Sequence, residues 1–183
     1  NPGTMAAIIG MTDEDVISMC NTISSDESVV VAANFNCPGQ VVISGDINAV
    51  HEAMGKAYDL GARMAKKLNV SGAFHSPLMD PAKKRLSAAL DTIEINTATM
   101  PVYANVTAQP TTEADELRLN LKNQLDCPVK WHETIGNMKS AGATEIMEVG
   151  PGRVLQGLTR RIDKKLISKG VETLQQIEGI AHV

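Results

Sequence analysis

The first 70 residues alternate between short apolar runs and segments with helical spacing. Two runs rich in β-branched residues, 29–34 and 40–45, flank turn residues at 35–39, and this pattern predicts a β-hairpin. Thr12 and Asp46 each precede a segment with apolar residues at helical spacing, so both are predicted to be helix N-caps. The predicted order is strand 5–9, a helix after Thr12, strands 29–34 and 40–45, a helix after Asp46, and strand 62–70.

Beyond residue 72, strands alternate with helices. Asp80 is predicted to cap a helix that begins at Pro81, because proline is favoured at the first helical position. Strands are predicted at 100–107 and 144–149, and further helices at 113–125, at 131–141 and after Gly152. Two strands are too few for an independent sheet of this kind.

The two patterns together predict an α/β protein with an α+β insertion. The order in residues 3–72 is that of a ferredoxin-like subdomain, in which two βαβ halves form one antiparallel sheet. Residues 73–183 are expected to form part of a parallel α/β sheet whose other strands this sequence does not contain.

Composition excludes several classes of protein. The chain has 183 residues, 43% of them hydrophobic and 21% charged, as in ordinary soluble globular proteins. A net charge of −4, with one Trp, two Tyr and two Phe, argues against a nucleic-acid-binding protein. We find neither an apolar run of about 20 residues nor a signal-peptide pattern, and we therefore expect no membrane association and a cytoplasmic location.

The cysteines and glycines give no strong motif. Cys20, Cys37 and Cys127 are too widely spaced for a zinc site or a disulfide framework, so we expect free structural thiols and no metal. The stretch VGPGRVLQGLT follows a predicted strand and begins a helix, but Gly157 is followed by Leu158 and not by the lysine of a phosphate-binding loop.

His75 is the strongest candidate for chemistry, although no nucleophile accompanies it. Ser76 is its neighbour, but adjacent side chains of an extended segment point to opposite faces. The chain also lacks the Gly-x-Ser-x-Gly motif of a nucleophile elbow. A histidine that merely precedes a helix is the alternative interpretation.

Six stretches occur in an order and spacing that indicate a family: TMAAIIG, NFNCPGQVVISG, GAFHSPLM, MPVYANVT, NQLDCPVKW and EVGPGRVLQGLTRRI. With them the chain resembles the malonyl-CoA:acyl carrier protein transacylases of fatty acid biosynthesis, and it is similar also to the acyltransferase domains of polyketide synthases. The resemblance implies the C-terminal part of an α/β-hydrolase-like fold at residues 73–183, with the ferredoxin-like small subdomain at 3–72. The family's serine elbow, oxyanion loop and malonyl-binding arginine would lie in an N-terminal part that is absent here.

The resemblance also implies a chemical role for two residues. His75 matches the catalytic histidine, and Gln124 would supply the acceptor that orients its ring, through either its backbone or its side-chain oxygen. The substrate would be malonyl-CoA and the partner an acyl carrier protein, with no bound cofactor. This chain would supply the base and not the serine, and alone it would be inactive.

Further contacts are expected on the same basis. Phe74 would crowd the α-carbon of the bound acyl group and favour malonyl, and Asn34 and Asn36 would face the substrate cleft. Three basic residues at spacings of seven and four are expected to share a helix face and to contact an acidic carrier protein: Arg153, Arg160 and Lys164.

Two other functions stay open on the sequence alone. The chain could be part of a polyketide synthase acyltransferase with a different acyl group. It could instead be a non-enzymatic ferredoxin-like binding module, which would explain residues 3–72 but would leave His75 and Gln124 without a purpose.

Overall fold

A computed structural model describes residues 2–180 of the chain. The chain forms two compact units, of which the first ends at Thr134 and the second begins at Ile135. Each unit is described separately below.

The first unit contains a four-stranded antiparallel sheet with strand order β2-β3-β1-β4. Its elements follow in the predicted order: β1 (Gly3–Ile9), α1 (Asp13–Ile23), β2 (Val30–Cys37), β3 (Gln40–Asp46), α2 (Ile47–Asp59) and β4 (Met64–Lys67). Strand β2 continues through most of the segment predicted as a turn, and β4 is shorter than the predicted strand 62–70. The predicted hairpin of β2 and β3 is confirmed.

Apolar side chains cover both faces of this sheet. The face that packs against α1 and α2 carries the larger core, formed by sixteen buried residues that include Ile8, Ile43, Val16 and Val50. The opposite face carries a smaller buried cluster of Met5, Ala33 and Val42. Burial on both faces explains why the strands are continuous apolar runs rather than alternating patterns.

The two predicted helix caps differ in the structure. Thr12 is confirmed as the N-cap of α1, since its hydroxyl accepts a hydrogen bond from the Asp15 backbone N–H at 3.1 Å. Asp46 occupies the N-cap position of α2 but makes no side-chain cap. Its carboxylate accepts instead from the Val29 N–H at 2.8 Å, which joins the start of β2 to the end of β3.

The rest of the first unit is mainly helical. A short 3₁₀ helix (Pro77–Met79) leads into α3 (Asp80–Asp91), so the N-cap is Met79 and not, as predicted, Asp80. The predicted strand 100–107 is wrong in its length, because the chain turns after Ala104 and leaves only the short pair β5 (Val102–Tyr103) and β6 (Pro110–Thr111). Helix α4 (Ala114–Asn123) follows in this unit, and α5 (Trp131–Ser140) begins in it and continues into the second unit.

The second unit contains a parallel pair of strands, β7 (Glu145–Val149) and β8 (Ile167–Val171). Helix α6 (Val154–Ile162) connects them, and α7 (Leu174–Ile180) follows β8. The parallel pairing agrees with the α/β pattern. The prediction of only two strands after residue 72 is wrong, because β6 and β8 were missed.

Candidate active site

His75 lies in the segment between β4 and the 3₁₀ helix, in a left-handed backbone conformation with φ of 59°. A non-glycine residue in this region costs about 1–2 kcal/mol. The His75 backbone N–H donates to the Leu125 carbonyl oxygen at 3.0 Å. This tertiary hydrogen bond stabilises the unusual backbone conformation of the histidine.

The imidazole ring of His75 is oriented by the adjacent backbone carbonyl, that of Gln124. Its Nδ1 lies 2.8 Å from the backbone oxygen of Gln124. Because a carbonyl oxygen can only accept, Nδ1 carries the hydrogen in this contact, and a neutral ring then has its lone pair on Nε2. The acceptor is therefore the backbone oxygen of Gln124, which answers the question that the sequence left open.

The side chain of Gln124 bonds within its own turn and not to His75. Its Nε2 donates to the carbonyl oxygens of Cys127 and Pro128, at 3.3 and 3.5 Å. These bonds close the turn that follows α4 and fix the peptide that contacts His75.

Ser76 cannot serve as a nucleophile for His75. It is fully buried, and its hydroxyl donates to the Ala73 carbonyl oxygen at 2.7 Å. Across residues 2–180, no serine hydroxyl is hydrogen-bonded to the His75 ring.

Strand β2 contacts the segment after Gln124, which the sequence pattern did not indicate. The Val129 N–H donates to the Ala33 oxygen, and the Phe35 N–H donates to the Val129 oxygen, both at 2.8 Å. A parallel β-bridge thus joins Val129 to Asn34. It brings the β2 edge of the sheet to the chain segment that orients His75.

The three predicted substrate-contacting residues lie near these elements. Phe74 precedes His75 directly and is 40% exposed. Asn34 is half-buried and pairs in register with Val42, so it lies on the sheet face away from α1 and α2. Asn36 lies two residues further along β2 and is also half-buried.

The thiols of Cys20 and Cys127 are poor nucleophiles. Burial raises the pKa of the Cys20 thiol to about 12. Burial also raises the pKa of the Cys127 thiol, and the negative charge of Asp126 raises it further. Both thiols are therefore protonated at neutral pH, which agrees with a structural role.

A carboxylate of the protein occupies the N-terminus of α6. The backbone N–H groups of Leu155 and Gln156 donate to Glu148 at 3.1 Å, and the Gln156 side-chain amide donates at 3.2 Å. Desolvation raises the pKa of Glu148, but these hydrogen bonds outweigh it and lower the pKa below its usual value. The place where a phosphate would bind in a phosphate-binding loop is already filled.

The prediction that three basic residues share a helix face is wrong. Arg160 lies within α6, whereas Arg153 is its N-cap residue and Lys164 lies beyond its last residue, Ile162. The Asp163 N–H still bonds to Thr159, but the extended backbone of Asp163 ends the helix before Lys164. All three basic side chains are exposed.

The described residues show neither a group of metal ligands nor a membrane-spanning helix. Within residues 2–180, no three His, Cys, Asp or Glu side chains are grouped so that they could hold a metal ion. No helix in that range is both long enough and apolar enough to span a bilayer.

Comparisons with known proteins place the chain in a family. The acyl transferase domain family matches residues 1–174. The malonyl CoA-acyl carrier protein transacylase of Bacillus subtilis is 40% identical over 176 residues, covering 96% of this chain and 56% of that protein. Its counterpart from Haemophilus influenzae is 46% identical over 160 residues, covering 87% and 51%.

Solved structures of malonyl CoA-acyl carrier protein transacylases also match this chain. The malonyl CoA-acyl carrier protein transacylase of Coxiella burnetii superposes with a TM-score of 0.92 at 37% identity, covering 98% of this chain and 56% of that structure. The chain thus spans about half the length of the relatives it matches. From these matches, the chain belongs to the acyl transferase domain family.

Proposed function

We propose that this chain is the histidine-bearing part of a malonyl-CoA:acyl carrier protein transacylase of fatty acid biosynthesis. The observation that carries the proposal is the contact between His75 Nδ1 and the Gln124 backbone oxygen, which leaves Nε2 as the basic nitrogen of the neutral ring. The names of the relatives supply the acyl group and the acceptor.

The proposed reaction has two halves, in which His75 acts first as a base and then as an acid. Nε2 takes the proton of a serine hydroxyl while the serine oxygen attacks the malonyl thioester carbonyl. The C–S bond breaks, and the imidazolium returns the proton to the departing CoA thiolate. The carrier protein's phosphopantetheine thiol then gives its proton to Nε2 and attacks the carbonyl carbon of the serine ester. The C–O bond to the serine breaks, and the serine oxygen takes the proton back from the imidazolium.

The serine is proposed to come from a segment outside residues 1–183. Two facts support this: the sequence has no Gly-x-Ser-x-Gly motif, and the Ser76 hydroxyl donates its hydrogen bond to the Ala73 carbonyl oxygen. The same proposal makes this chain inactive without that segment, which would be the N-terminal part of the enzyme.

The finer architecture belongs to the same proposal. Residues 3–72 would form the ferredoxin-like small subdomain, supported by the order β2-β3-β1-β4 with antiparallel pairing throughout. Residues 73–183 would form the C-terminal part of an α/β-hydrolase-like large subdomain, supported by the parallel β7–α6–β8 unit. The cytoplasmic location expected from the sequence is part of the same proposal.

Substrate contacts are proposed for Phe74, Asn34 and Asn36. Phe74 has an accessible ring directly before the base, which suits steric selection against a branched acyl group. The carrier protein would contact exposed basic residues on and beside α6, for which the candidates are Arg153, Arg160 and Lys164. Malonyl-CoA would be a substrate, and no bound cofactor is required by the proposed steps.

The test is a transfer assay on a fusion of this chain with the part of the Bacillus subtilis relative that it does not match. We expect the fusion to move malonyl groups from malonyl-CoA to a carrier protein, measured by the mass of the carrier. His75→Ala should reduce the rate by about 10²–10⁴-fold, the usual contribution of a general base.

His51→Ala is the matched control, because His51 is an exposed residue of α2. This variant should keep the rate of the unmodified fusion. A His75→Ala fusion as fast as the control would contradict the assigned base, and a folded fusion without transfer would contradict the function itself.

A further inference from the structure

The orientation of His75 depends on one short segment of backbone. Consecutive carbonyls, those of Gln124 and Leu125, accept from the ring and from the backbone N–H of His75. A shift of this segment would therefore move the ring and its backbone together. What fixes the segment in space decides how well the imidazole is oriented.

The segment is fixed on one side by the sheet. Val129 exchanges two backbone hydrogen bonds with β2, at Ala33 and Phe35, each 2.8 Å long. Between Val129 and the end of α4, the turn is closed locally, since the Cys127 N–H donates to the Asn123 oxygen at 3.0 Å.

The other side is fixed by an ion pair. Lys83 of α3 places Nζ 2.8 and 2.9 Å from the two carboxylate oxygens of Asp126, the residue directly after Leu125. Only 26% of the lysine side chain and 23% of the aspartate side chain are exposed, so solvent screens this pair less than a surface pair. The hydrogen bond to Asp126 raises the pKa of Lys83, so the ammonium stays charged at neutral pH.

We propose that Lys83 and Asp126 are positioning residues that keep the carbonyls of Gln124 and Leu125 against His75. The ion pair joins α3 to the turn at Asp126, and the bridge at Val129 joins the turn to β2. The turn is therefore held at two points. This inference rests on the proposed function of His75 as the base.

A second ion pair, which joins α3 directly to α4, provides a matched control. Lys122 of α4 pairs with Asp91 at the end of α3, and Arg118 Nη2 donates to the Ile93 oxygen at 2.8 Å. These contacts join α4 to α3 and to the residue Ile93 beyond it, whereas Lys83 joins α3 to the turn, and they involve no residue of the turn that contacts His75. Lys122→Met therefore reports on general loosening of the helix pair.

The experiment measures the tautomers of the His75 ring by ¹⁵N NMR in the 183-residue chain. In the unmodified chain we expect the Nδ1–H form. Lys83→Met should shift the ratio of the two neutral tautomers by about fivefold, which corresponds to the upper end of the strength of an exposed ion pair. Lys83→Arg and Lys122→Met should both keep the tautomer ratio of the unmodified chain.

An unchanged ratio in Lys83→Met, or an equal change in Lys122→Met, would overturn the inference. If Lys83→Met melts well below Lys122→Met, Asp126→Asn takes its place in the same comparison, since it removes the charge with little change of shape. In the transfer assay, Lys83→Met should lower kcat by a similar factor with little change in KM. A failure of all transfer would count against the proposed function and leave the tautomer result to decide this inference.

Discussion

At the scale of single residues, the site depends on backbone geometry that side-chain patterns do not encode. The resemblance singled out His75 and Gln124, and the structure brings their atoms to 2.8 Å. The left-handed φ of His75 could not be predicted, because it is stabilised by Leu125, fifty residues away in the sequence. The sequence also could not show that the backbone oxygen of Gln124, and not its side-chain oxygen, accepts from His75. That depends on where the turn after α4 places these two oxygens.

Gly45 shows the same dependence on close backbone contact and gives a stability prediction. A Cβ atom at this position of β3 would lie 1.9 Å from the Val29 oxygen and 2.7 Å from the Val30 Cα. Since backbone cannot easily move aside, Gly45→Ala should lower the free energy of unfolding by about 3 kcal/mol.

Gly55→Ala is the control for this prediction. Gly55 lies on the exposed side of α2, and an added Cβ would meet nothing within 4 Å. Alanine there should raise the free energy of unfolding by about 0.5–1 kcal/mol through helix propensity. Urea denaturation of both variants checks the pair, and equal stability of the two would refute the steric argument.

At the scale of elements, the sequence pattern predicted most elements that bury several apolar side chains and missed strands that bury few. The four strands of the first sheet and helices α1 and α2 were all predicted, because every one of them except β4 buries several apolar side chains. Strand β8 was missed because ISKGV contains a lysine and a glycine, and only Val171 is buried. Strand β6 was missed because it has two residues, one of them a proline.

An ion pair at the end of α6 gives a pH prediction. Lys139 of α5 pairs with Asp163, the C-cap residue of α6, and this hydrogen bond lowers the pKa of the Asp163 carboxyl. A carboxyl whose pKa is lower in the folded state stabilises the fold above its unfolded pKa, near 4, and loses that effect as the pH falls through the folded value.

Asp163→Asn should therefore reduce the stability of the second unit at pH 7 and have progressively less effect below about pH 4. Denaturation at several pH values measures this difference. Asp26→Asn, at an exposed loop position, is the control. A loss of stability in Asp163→Asn that is the same at pH 7 and at pH 3 would show that the charge is not the cause.

At the scale of the whole molecule, the parallel strand pair of the second unit carries exposed apolar side chains. Met147 and Val149 of β7 and Ile167 of β8 are 39%, 72% and 52% exposed on the two-stranded parallel sheet. Parallel sheets are normally buried on both faces. This agrees with a chain that spans about half the length of its relatives, and such surface favours aggregation when it is exposed.

The central claim is that this chain supplies the base and another segment supplies the nucleophile. The measurement that tests it most directly is the intact mass of each polypeptide after incubation with malonyl-CoA. The chain is tested alone, and then mixed with the part of the Bacillus subtilis relative that it does not match.

We expect no malonyl adduct on this chain in either sample. We expect an adduct on the added segment only in the mixture, and none when the chain carries His75→Ala. A malonyl adduct on residues 1–183 themselves would show instead that one of the chain's own hydroxyl or thiol groups is the nucleophile.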